Sequence, residues 1–365
     1  MKAFVTGGTG FIGRHVIQQL LQGGHTVHAL VRSKQAAAAL TGEGLVPFLG
    51  DITDRDSMRP GMQGCDVVFH IAAWYKLGGR DHAQAEEINV QGTRNVLGLA
   101  YELGIPRIVY TSTIAVLGDT HGVLADETYH MPAGQPFVTE YDRTKWLAHY
   151  QVALPLIEQG APIMIVMPGA VFGPGDHSLV GALMSAYQRG LLPIFPGPDS
   201  MLTFAHVEDI ARGHLLAAEK GRPGQSYILA GPALSFRQFI ALCAQASGKA
   251  LPWVYVPSRW IKPLLPLSQL LSRLPSWPEI LSPDAIRVLD VTYIASAEKA
   301  SRELGWQPRP LAERLRENFG WLSGHTPLLL SSRQKTITAA GLTGAALGIL
   351  AARFLIPRLR SKGRK

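Results

Sequence analysis

Lys2-Ala-Phe-Val-Thr-Gly-Gly-Thr-Gly-Phe-Ile-Gly13 is the stretch from which the fold is read. Ala3–Val5 is a short apolar run that predicts a buried strand. It leads into Gly7, Gly10 and Gly13, and then into Ile12, Val16, Ile17, Leu20 and Leu21 at helical spacing. A strand, a glycine turn and a helix N-terminus make a phosphate cradle, with Thr9, Phe11 and Ile12 beside the glycines. The missing side chains admit a close approach, and free N–H groups and the helix dipole face the anion. The spacing is G-x-x-G-x-x-G rather than G-x-G-x-x-G. A second predicted strand, Thr26–Val31, supplies the context a dinucleotide site requires.

Working outward, short apolar runs predict further strands at Val46–Phe48, Asp66–Ile71, Arg107–Ser112 and Ile163–Pro168. Periodic segments predict helices at Phe11–Gln22, Glu86–Leu103, Tyr141–Gln159 and Ser178–Arg189. This alternation means βαβ units and a doubly wound parallel sheet of Rossmann type, an α/β fold with ligands at the strand ends. Residues 1–168 form the expected NAD(P)-binding unit, and a helix and strand within 207–229 rejoin it. Residues 169–206 and 230–325 are expected to form a smaller, interleaved and mostly helical substrate lid. A basic tail, 326–365, follows and ends the chain.

The 365 residues are 47% hydrophobic, enough for one large domain or two joined ones. Eight of the 35 basic residues lie at or beyond Arg333, where no acid occurs, which leaves 27 basic against 27 acidic in the body. The net charge of +8 therefore belongs to the tail, and nucleic acid is not an expected partner. Cys65 and Cys243 have no metal or redox spacing, so neither a disulfide nor a metal site is expected. Met1 leads directly into the first strand, which predicts no signal peptide and a cytoplasmic location.

Tyr141-Asp-Arg-Thr-Lys145 places a phenol and an ammonium four residues apart on one helical face. A lysine ammonium near a phenol favours phenolate, and such a tyrosine can exchange a proton with a carbonyl or alcohol oxygen. Thr113 follows the fifth strand, where its hydroxyl can orient the same oxygen. At the end of the second strand stand Arg32 and Lys34 where an acid would bind a ribose diol. That favours NADP(H), with NAD(H) open.

The order Thr6–Gly13, Gly50-Asp-Ile-Thr-Asp54, Val68–Ala73, Asn89–Thr93, Thr111–Thr113, Tyr141-x-x-x-Lys145, Pro168–Pro174 and His206-Val-Glu-Asp209 resembles the extended short-chain dehydrogenase/reductases. Within that superfamily, also called the NAD-dependent epimerase/dehydratase superfamily, residues 1–325 look most like the dihydroflavonol-4-reductase-like group. The resemblance implies Tyr141 as acid/base, Lys145 tuning it and holding the nicotinamide ribose, and Thr113 in place of the usual serine or threonine. It implies Asp51 and Ile52 at the adenine, Ala72 and Ala73 along the cofactor, and Pro168–Val171 at the nicotinamide amide.

Sugar-nucleotide members commonly carry Arg where this chain has Leu202 and Met167. Those departures favour an oxidoreductase acting on a small lipophilic carbonyl or alcohol. The alternative is an NAD-dependent sugar-nucleotide epimerase or dehydratase. Trp253, Tyr255, Trp260, Leu264, Leu265 and Trp277 are expected to wall an apolar pocket. His70, Asp176, His177, Arg80 and Trp74-Tyr75-Lys76 are further strand-end candidates, and Asn89 is expected to secure a helix. Residues 336–352 lack charge, and the apolar run reaches 356. It is a candidate membrane helix, with an interfacial helix or one docked on the protein as alternatives. A homodimer is left open.

Overall fold

The computed structural model describes residues 1–76, 81–272 and 282–325. Arg80, Trp277 and the tail with its candidate helix 336–356 lie outside them. Among the described residues no helix is long and apolar enough to cross a membrane.

The described residues form twelve strands, β1 (Lys2–Thr6), β2 (Thr26–Val31), β3 (Leu45–Leu49), β4 (Val67–His70), β5 (Ile108–Thr111), β6 (Ile163–Pro168), β7 (Ala170–Phe172), β8 (Ile194–Pro196), β9 (Met201–His206), β10 (Ser226–Leu229), β11 (Ala233–Ser235) and β12 (Val254–Val256). Seven form one sheet in the order β10-β6-β5-β4-β1-β2-β3. Every pairing in it is parallel. This is a Rossmann-like sheet, and the order reverses between β1 and β4, which opens a crevice at their carboxyl ends. β1 shows why it is buried on both sides. Phe4 enters the core cluster with Val96, Leu97 and Tyr110. Ala3 and Val5 enter the opposite one with Val16, Ile17, Leu20 and Ile210. Cys65 and Cys243 are buried, unpaired and in separate clusters.

Helices differ from expectation in two places. The segment 82–102 is helix His82–Glu86, a π-helical turn Glu87–Gly92 and helix Thr93–Glu102. A second π turn, His149–Ala153, interrupts the stretch after Glu140–Ala148. Such turns insert one residue and re-aim a side chain. In the first of them lies Asn89, whose Oδ1 accepts from Trp74 N (2.6 Å) and whose Nδ2 donates to Trp74 O and Thr144 Oγ1. Asn89 thus clamps the chain that follows β4. The helices Lys34–Ala38 and Arg55–Met62 carried no clear periodic signal; the latter is short, highly charged and contains Pro60.

The segments outside the large sheet are less helical than expected. β11, β9 and β7 form a three-stranded sheet and β12 pairs with β8. Strands of three residues are too short to show an alternation. Phe172, Phe204, Phe236, Phe239 and Phe319 form the core here, with Phe204 stacked on Phe239 at 3.8 Å. The His206–Asp209 motif joins the two parts. Asp209 pairs in bidentate fashion with buried Arg314 (2.5 and 3.0 Å), and its carbonyl accepts from Trp306 Nε1 (2.8 Å).

Candidate functional site

The cradle is built as its sequence requires. Gly7 has φ +73°, and a Cβ there would lie 2.6 Å from Ala72 N. A Cβ on Gly13 would collide with the Gly7 carbonyl, and one on Gly10 would sit 3.1 Å from it. Helix Phe11–Gln22 starts at Gly10 with no side-chain cap and no acid in its first turn. Its first N–H groups and its dipole are therefore available to an anion. A diphosphate fits this cradle on chemical grounds.

Behind the cradle, Thr6 Oγ1 accepts from Ile71 N (3.2 Å) and Ala72 N (3.3 Å). With both lone pairs used, its proton goes to His70 Nδ1 (2.8 Å), so His70 Nε2 carries the hydrogen given to Thr93 (2.9 Å). His70 is thus a neutral strut. Two further histidines do the same work: His149 holds Ser112 (2.8 Å) and His214 holds Thr111 (2.9 Å).

One cleft runs from the cradle across the strand ends. It is lined by Gly7, Thr9, Gly10, Phe11, Ile12, Gly13, Arg32, Asp51, Ile52, Ala72, Ala73, Thr113, Tyr141, Pro168 and Val171. Asp51 Oδ1 accepts from Thr53 N and Oγ1, and Ile52 O accepts from Asn95, which fixes that wall. Lys34 is not at the lining. It opens the helix capped by Ser33, and Ser33 and Ala36 face the cleft in its place. Sequence spacing gave no sign of that helix.

Tyr141 sits in the first turn of helix Glu140–Ala148, whose start is fixed by a capping box between Thr139 and Asp142. Its ring meets Tyr75 edge-on at 4.9 Å, and it lines the same cleft as Thr113, whose Oγ1 accepts from Ala115 N (3.2 Å). Lys145 is buried beneath the cleft floor rather than at its lining. Its Nζ donates to Thr111 O (2.7 Å) and Tyr110 OH (3.2 Å). Burial pulls the ammonium down to about 7 and pushes the Tyr141 phenol above its ordinary value. Lys145 is thus bonded to the Thr111 carbonyl and to the Tyr110 phenol.

The far wall comes from residues distant in sequence. Tyr75, Leu179, Val180, Leu183, Leu202, Phe236, Val288 and Tyr293 line it. Tyr293 donates to Asp142 Oδ2 (3.0 Å) and so ties its own segment to the Tyr141 helix. Burial raises Asp142 to about 7 and Asp176 to about 6, and both carboxyls line the cleft. No motif marks Tyr293, Phe236 or Val288; only the tertiary contacts find them. The expected aromatic wall is different. Trp253 is 85% exposed, Trp260 is exposed, and neither they nor Tyr255, Leu264 or Leu265 reach the lining.

The buried struts set a pH dependence. His70 and His149 are pulled down to about 3, and His206 and His214 to about 4, by burial first. A depressed base stabilises the fold above its unfolded value of about 6.5 and loses that stability as pH falls. Asp142 and Asp176, being raised, act oppositely, over about pH 4 to 7 and pH 4 to 6. His15 is also lowered by burial and Glu127 raised by it, so the lowered histidines outnumber the raised carboxyls and unfolding takes up protons as pH falls below about 6. Melting temperature should therefore fall steadily from pH 6 to pH 4 in a thermal-shift series. A flat or rising profile would contradict the neutral-strut assignment.

Comparison with known proteins places this geometry. The NAD dependent epimerase/dehydratase family matches residues 3–230. A Synechocystis protein with a provisional dihydroflavonol 4-reductase name is 33% identical over 88% of this chain and 94% of its own length. The 4-hydroxy-2-methyl-3-oxo-4-farnesyl-3,4-dihydroquinoline-1-oxide ketoreductase of Stigmatella aurantiaca is 33% identical over 85% of this chain and 92% of its own. The crystal structure of gox2253 superposes with a TM-score of 0.75 at 32% identity, covering 88% of this chain and 98% of that one.

Proposed function

The chain belongs to the NAD-dependent epimerase/dehydratase family, and from that premise we propose that it is an NADP(H)-preferring oxidoreductase that interconverts a carbonyl and an alcohol on a small lipophilic molecule. The observation that carries this reading is one continuous cleft. It joins an anion cradle to Thr113 and Tyr141 and then to a largely apolar wall of Leu179, Val180, Leu183, Leu202, Phe236 and Tyr293, with Lys76 and His177 also lining the cleft. The apolar share of that wall suits a lipophilic molecule better than a sugar diphosphate. The ketoreductase name of the Stigmatella relative points to the same substrate class.

Gly7, Gly10 and Gly13 hold the diphosphate, and Asp51 and Ile52 bound the adenine pocket. Ala72, Ala73, Pro168 and Val171 confine the nicotinamide end. When bound, the nicotinamide supplies or accepts the hydride at the substrate carbon. Tyr141 gives its proton to the substrate oxygen in reduction, and Thr113 orients that oxygen. The phenol is held protonated by burial, which suits the reductive direction. Lys145 anchors the strand end through Thr111 O and would hold the nicotinamide ribose of a bound cofactor. Segments 169–206 and 230–325 close the substrate side.

The test is NADPH oxidation followed at its absorbance with a panel of cyclic and long-chain ketones. Turnover with such ketones and rapid exchange of the cofactor support the reading. Tightly retained NAD with turnover only on a sugar nucleotide overturns it. Arg32 stands exposed at the cleft rim. Arg32→Asp should weaken NADPH at least tenfold and leave or improve NADH, because a carboxylate repels the 2′-phosphate and binds the ribose diol. Equal losses for both cofactors would assign Arg32 to adenine stacking alone.

A further inference from the structure

The lid carries an exposed apolar face that the cleft does not use. Leu251 (49%), Trp253 (85%) and Val254 (43%) stand in solvent at the start of β12. The chain then turns through helix Ser258–Ile261, a tight turn Lys262–Leu264 and helix Leu265–Leu271. Along this helical run Trp260, Pro263, Leu267 and Leu270 recur at intervals of three or four and are all exposed. Residues at that spacing share one side. Isolated exposed leucines need no explanation, but a tryptophan pair and a leucine stripe within twenty residues form a patch of the kind that marks an interaction surface.

The charge around it identifies the occupant. Between Lys220 and Ser272 the chain has Arg222, Arg237, Lys249, Arg259 and Lys262 and no acidic residue at all. Lys249 and Arg259 are exposed next to Leu251 and Trp260 in the chain, while Lys262 pairs with Asp290. The carboxylates of the neighbouring segment are partnered, Asp290 by Lys262 and Ser258 Oγ (2.6 Å) and Asp284 by Arg287 (2.9 Å). Tryptophan and leucine on one side, flanked by arginine and lysine, match a bilayer interface: the rings sit at headgroup depth and the cations meet anionic headgroups.

We propose that the lid face formed by Leu251–Leu271 docks on an anionic phospholipid bilayer. The proposal deepens the reading of a lipophilic substrate, since it sets the lid that closes the cleft against the phase in which such a substrate dissolves. Its evidence is independent of the substrate, and so is its test.

The full chain is mixed with vesicles of phosphatidylcholine alone and of phosphatidylcholine with phosphatidylglycerol, with brominated acyl chains as quencher. Tryptophan emission should be quenched on the anionic vesicles, and Trp253→Phe together with Trp260→Phe should remove most of that quenching. Leu267→Glu with Leu270→Glu should lower the vesicle partition at least tenfold, while NADPH binding and turnover of a water-soluble ketone stay within about twofold. Quenching and partition unchanged in these variants overturn the proposal, because another part of the chain then carries the binding. A concentration-dependent dimer that the Leu267→Glu and Leu270→Glu pair dissociates also overturns it, by assigning the face to a second copy. Failure of the ketone screen would leave the quenching, the vesicle partition and the NADPH binding intact as readouts.

Discussion

Replacing Tyr141 by phenylalanine should leave NADPH affinity within about twofold and lower kcat by on the order of a thousandfold, the usual worth of a positioned proton donor. The substitution removes the phenol hydroxyl and keeps the ring, so the edge-on contact with Tyr75 at 4.9 Å survives. The helix start is untouched, because the Thr139–Asp142 capping box does not involve residue 141. Lys145 keeps its bonds to Thr111 O and Tyr110. A cofactor titration by fluorescence separates binding from chemistry. Unchanged turnover with intact binding would remove Tyr141 from the proton-transfer role.

Gly13→Ala should cost both fold and cofactor. The new methyl group meets the Gly7 carbonyl, and its other near neighbours, Gly7 C and Gly8 Cα, are also backbone. Backbone cannot swing aside as a side chain can. Helix Phe11–Gln22 would have to shift away from β1, and overpacking of this kind costs about 1–3 kcal/mol. That predicts a fall of several degrees in melting temperature, and NADPH affinity reduced by at least about tenfold because the cradle opens. Gly98→Ala is the matched control. It lies inside helix Thr93–Glu102 with nothing within 4 Å of the added carbon, so it should be neutral or mildly stabilising. Equal behaviour of the two variants would mean that the close approach at Gly13 is not what the cradle depends on.

Much of the large sheet was legible because its strands are short apolar runs between unmistakable helices. The expected β1, β2 and β6 end within a residue of the observed ones, and the return of β10 to the sheet follows from the Val207 helix that precedes it. The π turns at Asn89 and His149 were not legible. An inserted residue changes the spacing by one, which a 3.6-residue pattern absorbs without trace. The small strands β7, β8, β11 and β12 were equally hidden, since three residues pair only when a partner is presented to them. The tryptophans near β12 show the converse. Trp253 and Trp260 have the composition of a pocket wall and the exposure of a surface.

The sequence by itself pointed to the glycine turn, to Thr113, Tyr141 and Lys145 as candidates and to the parallel sheet beneath them, because glycine sterics and helix spacing act over a few residues. It could not determine where Lys145 points. Only the packed structure directs that ammonium to Thr111 O and Tyr110, buries it to about 7 and leaves the phenol protonated. Nor could it assemble the far wall, where Tyr75, Leu202, Phe236 and Tyr293 meet across more than two hundred residues of chain. Desolvation and long-range contact belong to the folded volume rather than to any window of sequence, so the substrate side of the cleft was decided by tertiary structure alone.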